Sequence, residues 1–187
     1  MKFVQNIHFT SKLFIIKKAD IIVCFFMGVS VMVKTNAMRL LSAADIAFDS
    51  KEYIVDENDL SGTHIALQLG QPFEQVFKTL VLKGERTGYL VCCIPVNEEL
   101  DLKKVSKAVG DKKCDMIPMK DLLSVTGYIR GGCSPIGMKK KFPTFIDETC
   151  ILFDQICISA GMRGAQIIIN PEDLIKYTEA ETADLVK

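Results

Sequence analysis

A chain of 187 residues, 49% hydrophobic and 25% charged, suffices for one domain with its own core and would be cramped as two. Its 23 basic side chains match its 23 acidic ones, which excludes a global field drawing it to nucleic acid or membrane and leaves any polyanion to a local patch. Two histidines leave His-based triads and His-rich metal sites almost nothing to work with, and seven cysteines without a C-x-x-C pair read as reduced thiols in a reducing, cytoplasmic compartment.

Residues 1–31 differ in kind from the rest. Lys17 and Lys18 precede an uncharged run, Ile21 to Val33, like the n- and h-regions of a signal peptide, but too short to span a bilayer, which takes roughly 20 apolar residues. No convincing cleavage site follows. The segment is expected to be a hydrophobic extension outside the functional protein, with translation starting near Met32 as one explanation and a peripheral tail as another, and no stable membrane partner is expected.

From Thr35 the pattern is regular. Thr35 caps a predicted helix reaching about Ile46, with Ala37, Leu40, Leu41 and Ala44 on one face. Phe48 to Val55, carrying Tyr53, reads as a strand, and Ser61 or Thr63 opens a helix that Gly70 stops, with His64 as a surface or capping residue. Val76 to Lys83 and Tyr89 to Val96 form a hairpin across Gly84 to Gly88, with Cys92 and Cys93 on opposite faces. Leu100 to Val109 is an amphipathic helix closed by Gly110, its Lys103, Lys104 and Lys107 a solvated face. Cys114 to Ile117 reads as a short strand and Met119 to Val125 as a short helix. Thr144 to Ile146, Gln155 to Ser159 and Gln166 to Ile169 are further strands, and Asn170 with Pro171 starts the last helix. The whole is one α+β domain over residues 35–187.

Three places carry candidate chemistry. Between Thr126 and Asp147 lie Gly127, Gly131, Gly132 and Gly137, then Lys139, Lys140 and Lys141. Backbone N–H groups freed by glycine beside a cation cluster suit an anion, with Thr126, Tyr128 and Ser134 as neutral hydrogen-bonding groups; a plain surface loop with a solvated charge run is the other reading. Lys78 interrupts the apolar strand Val76 to Leu82, so it either snorkels to an edge or enters a pocket. Ser159 to Gly164 offers one hydroxyl and one guanidinium, Arg163, on what is otherwise a tight β connection. Local spacing contains no nucleophile–base pair.

VFKTLV at 76–81, TGYIRGGCSPIGMKKKFPTFID at 126–147 and ISAGMRG at 158–164, with the LDLKKVSKAVG helix between, resemble in order and separation the YbaK/EbsC family of aminoacyl-tRNA deacylases, which is similar to the editing domain of prolyl-tRNA synthetases. The resemblance covers nearly everything after residue 34. It implies a mixed or barrel-like β-sheet surrounded by helices and a trans-editing hydrolase for Cys-tRNA(Pro), or Cys-tRNA(Cys), in which the substrate's thiol attacks its own ester. It implies no cofactor and no metal, aminoacyl-tRNA as partner, and transient contact with prolyl-tRNA synthetase. It makes Lys78 the essential lysine, binding the terminal adenosine's phosphate or steadying charge at the ester, and assigns catalytic roles also to Gly131, through its N–H, and Ser159. Tyr53, Thr79, Thr126, Gly132, Ser134, Arg163 and Gln166 become substrate-binding positions, with Gln166 standing where some members are acidic. Lys139, Lys140 and Lys141, with Arg163, would hold acceptor-stem phosphates. An Ala-tRNA(Pro) deacylase using water, a non-catalytic aminoacyl-tRNA or synthetase-binding module, and an anion-binding protein unconnected with tRNA are the rival readings.

Overall fold

The Thr35 hydroxyl accepts the Met38 N–H at 3.2 Å and opens α1, Asn36–Ala43, in a computed structural model that describes residues 34–187. The extension expected over residues 1–31 lies outside the described residues. α1 stops short of Ile46 because Ala44 caps it and Asp45 turns to φ 54°. β1 spans Phe48–Glu52 and ends before the expected Val55, since its partner β7, Ala165–Ile169, begins opposite Glu52. One more bond, Tyr53 N–H to Gly164 O at 2.9 Å, closes the pairing. Of the two candidate openers of the second helix, Ser61 is the cap: its hydroxyl accepts the His64 N–H, and left-handed Gly70 ends α2, Gly62–Leu69.

β2, Phe77–Gly84, and β3, Gly88–Pro95, make the predicted hairpin. α3, Leu102–Val109, is capped by Asp101 and ended by Gly110; β4, Cys114–Met116, and α4, Leu122–Thr126, follow. After the glycine-rich loop come β5, Thr144–Asp147, and β6, Ile156–Ser159. Past β7, α5, Pro171–Thr178, starts on Asn170, whose side chain accepts from the Glu172 and Asp173 N–H groups. β8, Glu181–Ala183, has no counterpart among the sequence expectations. Three residues, two of them polar, carry no periodicity to read.

The strands form two sheets. β1, β7 and β6 pair antiparallel in that order, and β4, β2, β3, β5 and β8 make a mixed sheet with β5 parallel to both β3 and β8. A parallel bridge from Val76 to Cys157 ties the start of β2 to β6. The main core lies between the sheets, where Phe77, Val91 and Ile146 meet Ile158, Ile167 and Ile169 under α1 and α5. α3 covers the outer face of the five-stranded sheet over Leu82, Leu90, Cys92 and Ile94, and α2 covers the outer face of the smaller one over Cys157 and Ile168. Cys92 and Cys93 thus join different cores, as strand alternation requires.

Candidate active site

β4 pairs with β2 over Leu82–Gly84, the Ile117 N–H adds one bond to Val81 O at 3.2 Å, and β6 bridges only to Val76, leaving Phe77 to Leu80 without a paired strand on the side away from β3. A strand edge left open must be covered or put to use. Here it faces a cavity of about 510 Å³. The entry to α2 at Leu60 to Thr63 forms one wall, and Met116, Ile117, Met119 and Leu122 form another. Arg130, Gly131 and Cys133 enter from the glycine-rich loop, and Ser159 with Gln166 from the three-stranded sheet.

Lys78 is half-buried in this wall. Its ammonium donates to Val96 O at 3.0 Å and Glu98 O at 2.6 Å, so two of three N–H donors hold the group and one is left for a ligand. Burial pushes its pKa down, against the opposing pull of the Glu99 and Glu98 carboxylates. Thr79, next along β2, sits 3.7 Å from the Cys93 sulfur through its hydroxyl.

Ser159 and Gln166 are directly opposite one another in the β6–β7 ladder. Their neighbours Ile158 and Ile167 point into the main core, so alternation turns the hydroxyl and the amide together toward the cavity. Ser159 Oγ accepts the Gly161 N–H at 3.3 Å and keeps its own proton to donate. Gln166 is 5% exposed, and its Oε1 is buried with no hydrogen-bond partner among the described residues. A stranded acceptor of this kind costs about 1–3 kcal/mol unless a ligand meets it. Gly131 has φ 81°, and its N–H makes no bond among the described residues, whereas the Gly132 N–H is taken by Ile129 O at 3.0 Å.

Lys78, Thr79, Gly131, Ser159 and Gln166 therefore line one cavity; the other sequence candidates do not. Thr126 is buried, donating to Leu122 O at 2.8 Å and accepting from the Tyr128 N–H at 3.0 Å, and Ser134 is buried while accepting the Ile136 N–H. Both hold the loop's shape. Gly132 lets the loop approach the β6–β7 turn, since a Cβ there would lie 3.1 Å from Met162 main-chain atoms. Arg163 donates to Arg130 O at 2.9 Å and pairs with Glu57 at 2.6 Å, clamping the carbonyl beside Gly131. Tyr53 flanks the same turn. The lysine run is divided: Lys139 donates to the α4 carbonyls of Leu123 and Ser124, Lys141 pairs with Glu179, and Lys140 is exposed.

Sequence reasoning missed the α2 wall. A Cβ on Gly62 would lie 2.3 Å from a Val96 methyl, so only glycine lets the helix start this close to the end of β3. The signal was legible in principle: a glycine directly after a capping serine is a poor first-turn residue and marks close approach. The apolar wall from Met116 to Leu122 gave no signal, because scattered methionines look like core.

Chemically, the cavity has donors and a cation but no carboxylate or imidazole among its described lining. Its one thiol, Cys133, is pushed up to about 12 by burial, with a Thr126 hydrogen bond pulling weakly the other way. It stays protonated at neutral pH and is a poor nucleophile. Among the described residues, no group of three His, Cys, Asp or Glu could hold a metal ion, and no helix is long and apolar enough to cross a membrane.

Comparison with known proteins gives the family of the chain. The chain is 47% identical over 152 residues to an Enterococcus faecalis protein provisionally named Cys-tRNA(Pro)/Cys-tRNA(Cys) deacylase EbsC, covering 81% of this chain and 93% of that one. It is 26% identical over 136 residues to a proline–tRNA ligase of Thermosipho melanesiensis, covering 73% of this chain but 24% of the ligase. A solved structure provisionally titled a trans-editing enzyme for prolyl tRNA synthetase shares the fold, with a TM-score of 0.70 at 23% identity over 81% of this chain and 92% of that one. With the aminoacyl-tRNA editing domain matched across residues 63–177, the chain belongs to that family.

Proposed function

We propose that this protein is a free-standing cytoplasmic deacylase that removes cysteine from mischarged Cys-tRNA(Pro), the ester being attacked by the substrate's own thiol. The observation that carries this reading is a cavity with donors and a cation whose described lining has no carboxylate or imidazole to activate a hydroxyl, and whose one thiol burial keeps protonated. The likeness to the Enterococcus faecalis protein supports the choice of substrate.

A cysteinyl thiol ionises near pH 8.5, within reach of neutral solution. Its sulfur forms a bond to the ester carbonyl carbon, the bond to the ribose oxygen breaks, and that oxygen takes up a proton, releasing tRNA and a thiolactone. Folding the aminoacyl group back on itself gives the thiol a high effective concentration. In this scheme the free N–H of Lys78 and the Gly131 N–H meet the developing negative charge, and Ser159 donates to the ester or ribose. Gln166 Oε1 accepts from the α-ammonium, the strongest donor the aminoacyl group carries. The neutral amide does this without the charge an acidic residue would add. Contact with prolyl-tRNA synthetase would supply tRNA selectivity that a small cavity cannot, since one methylene is worth only about 1–3 kcal/mol.

Deacylation of matched Cys-, S-methyl-Cys- and Ala-tRNA(Pro) tests the scheme. Rapid loss of the first with the other two nearly inert, and a trapped thiolactone, is the expected outcome. Equal rates for all three would make water the nucleophile, and binding without turnover would make the protein a recognition module.

A further inference from the structure

β4 separates two hollows on one edge of the five-stranded sheet. On one side Met116 and Met119, 45% and 57% exposed, form the apolar lip of the cavity, continued inward by Ile117 and Leu122. On the other, a hollow of about 430 Å³ opens between α3 and β4, with Lys103, Lys107, Lys112 and Lys113 on its walls.

The charge there is not cancelled. The Asp111 carboxylate, also on the hollow's wall, is occupied by the N–H groups of Arg86, Thr87 and Lys112 and by the Thr87 hydroxyl, with the Arg86 guanidinium 3.7 Å away. Asp115 pairs with Lys113 at 2.7 Å, and Asp184 with Lys104 at 2.8 Å. Lys103, Lys107 and Lys112 are exposed and join none of the described ion pairs. Lys139 and Lys141 are already engaged.

A cavity of about 510 Å³ is of the size that takes a drug-sized ligand, more than a cysteinyl group alone. Its polar end, at Lys78, Ser159 and Gln166, suits the ester; its apolar lip suits a flat base, which polarizable methionine sulfur contacts well. From Met116 back to Lys113 is three strand residues, roughly 10 Å. We propose that the RNA leaves the cavity across β4, its terminal base on Met116 and Met119 and its adjoining phosphates on Lys112 and on Lys103 and Lys107 of α3. This rests on the editing reading only in taking an aminoacylated RNA end as the cavity's occupant.

The test is fluorescence anisotropy of the full chain with a labelled RNA minihelix ending in CCA, across a salt series. The triple change Lys103→Glu, Lys107→Glu, Lys112→Glu weakens binding and flattens the log–log salt slope by about one per lysine. Met119→Ala weakens binding of the minihelix and of a bare CCA trinucleotide alike. Equal binding by the triple variant, or no binding by the unaltered protein, overturns the proposal. Lysine-dependent binding without deacylation of any aminoacyl-tRNA would sink the editing reading while leaving this surface in place.

Discussion

At the scale of single residues, two side chains in the cavity wall make opposite demands on the fold. Lys78 is held by two carbonyls, so Lys78→Ala removes a cation from the site together with the donor that Val96 O and Glu98 O share. Turnover of Cys-tRNA(Pro) is expected to fall about 10²-fold or more, with RNA binding retained; unchanged single-turnover kinetics would remove Lys78 from the mechanism. Gln166 carries a buried acceptor that the fold itself does not satisfy. Gln166→Leu keeps the volume and deletes that acceptor, so thermal stability should rise by up to about 1–3 kcal/mol while KM for the aminoacyl-tRNA also rises. Stability and affinity falling together would mean the amide serves the fold. Lys78 was legible because a lysine among Val76, Phe77 and Leu80 is chemically conspicuous. Nothing in the sequence reveals that Gln166 lacks a partner, because partnership is a property of three-dimensional neighbours.

At the scale of elements, the β2–β3 turn hangs on a carboxylate from another part of the chain. Asp111, just past α3, takes the Thr87 and Arg86 N–H groups at 2.9 Å each, and these bonds hold it well below the usual carboxylate range. A carboxyl whose pKa is depressed by folding contributes stability that is complete above its unfolded value, about 3.9, and is lost as pH falls through the folded value. Asp111→Asn should therefore lower the unfolding midpoint by a constant amount from about pH 5 to pH 8, with the gap to the wild type closing below about pH 4; a gap that widens in acid would contradict it. Helix ends were readable from sequence because caps are local: Thr35, Ser61 and Asn170 each bond N–H groups within three residues. The end of β1 was not, since it depends on where β7 begins, more than a hundred residues away.

At the scale of the whole molecule, the two sheets enclose thiols as well as aliphatic groups. Cys92, Cys93, Cys114, Cys133, Cys150 and Cys157 are all free and buried, and burial pushes Cys93 up to about 12 and Cys150 and Cys157 to about 11. These six should resist iodoacetamide at neutral pH and react together once denaturant opens the core, read by intact mass; piecemeal labelling in the native state would show that the sheets open separately. The balance of apolar and charged residues, the caps and the alternation along the strands determined by themselves that the fold is α+β, because each depends on chain neighbours within a turn or a strand. That Lys78, Gly131, Ser159 and Gln166 share a cavity, while Thr126 and Ser134 go into the loop's own hydrogen bonds and Lys139 and Lys141 into nearby carbonyl and carboxylate contacts, was decided only by tertiary structure. A polar side chain serves whichever partner the folded chain brings within bonding distance, and sequence spacing carries no record of that distance.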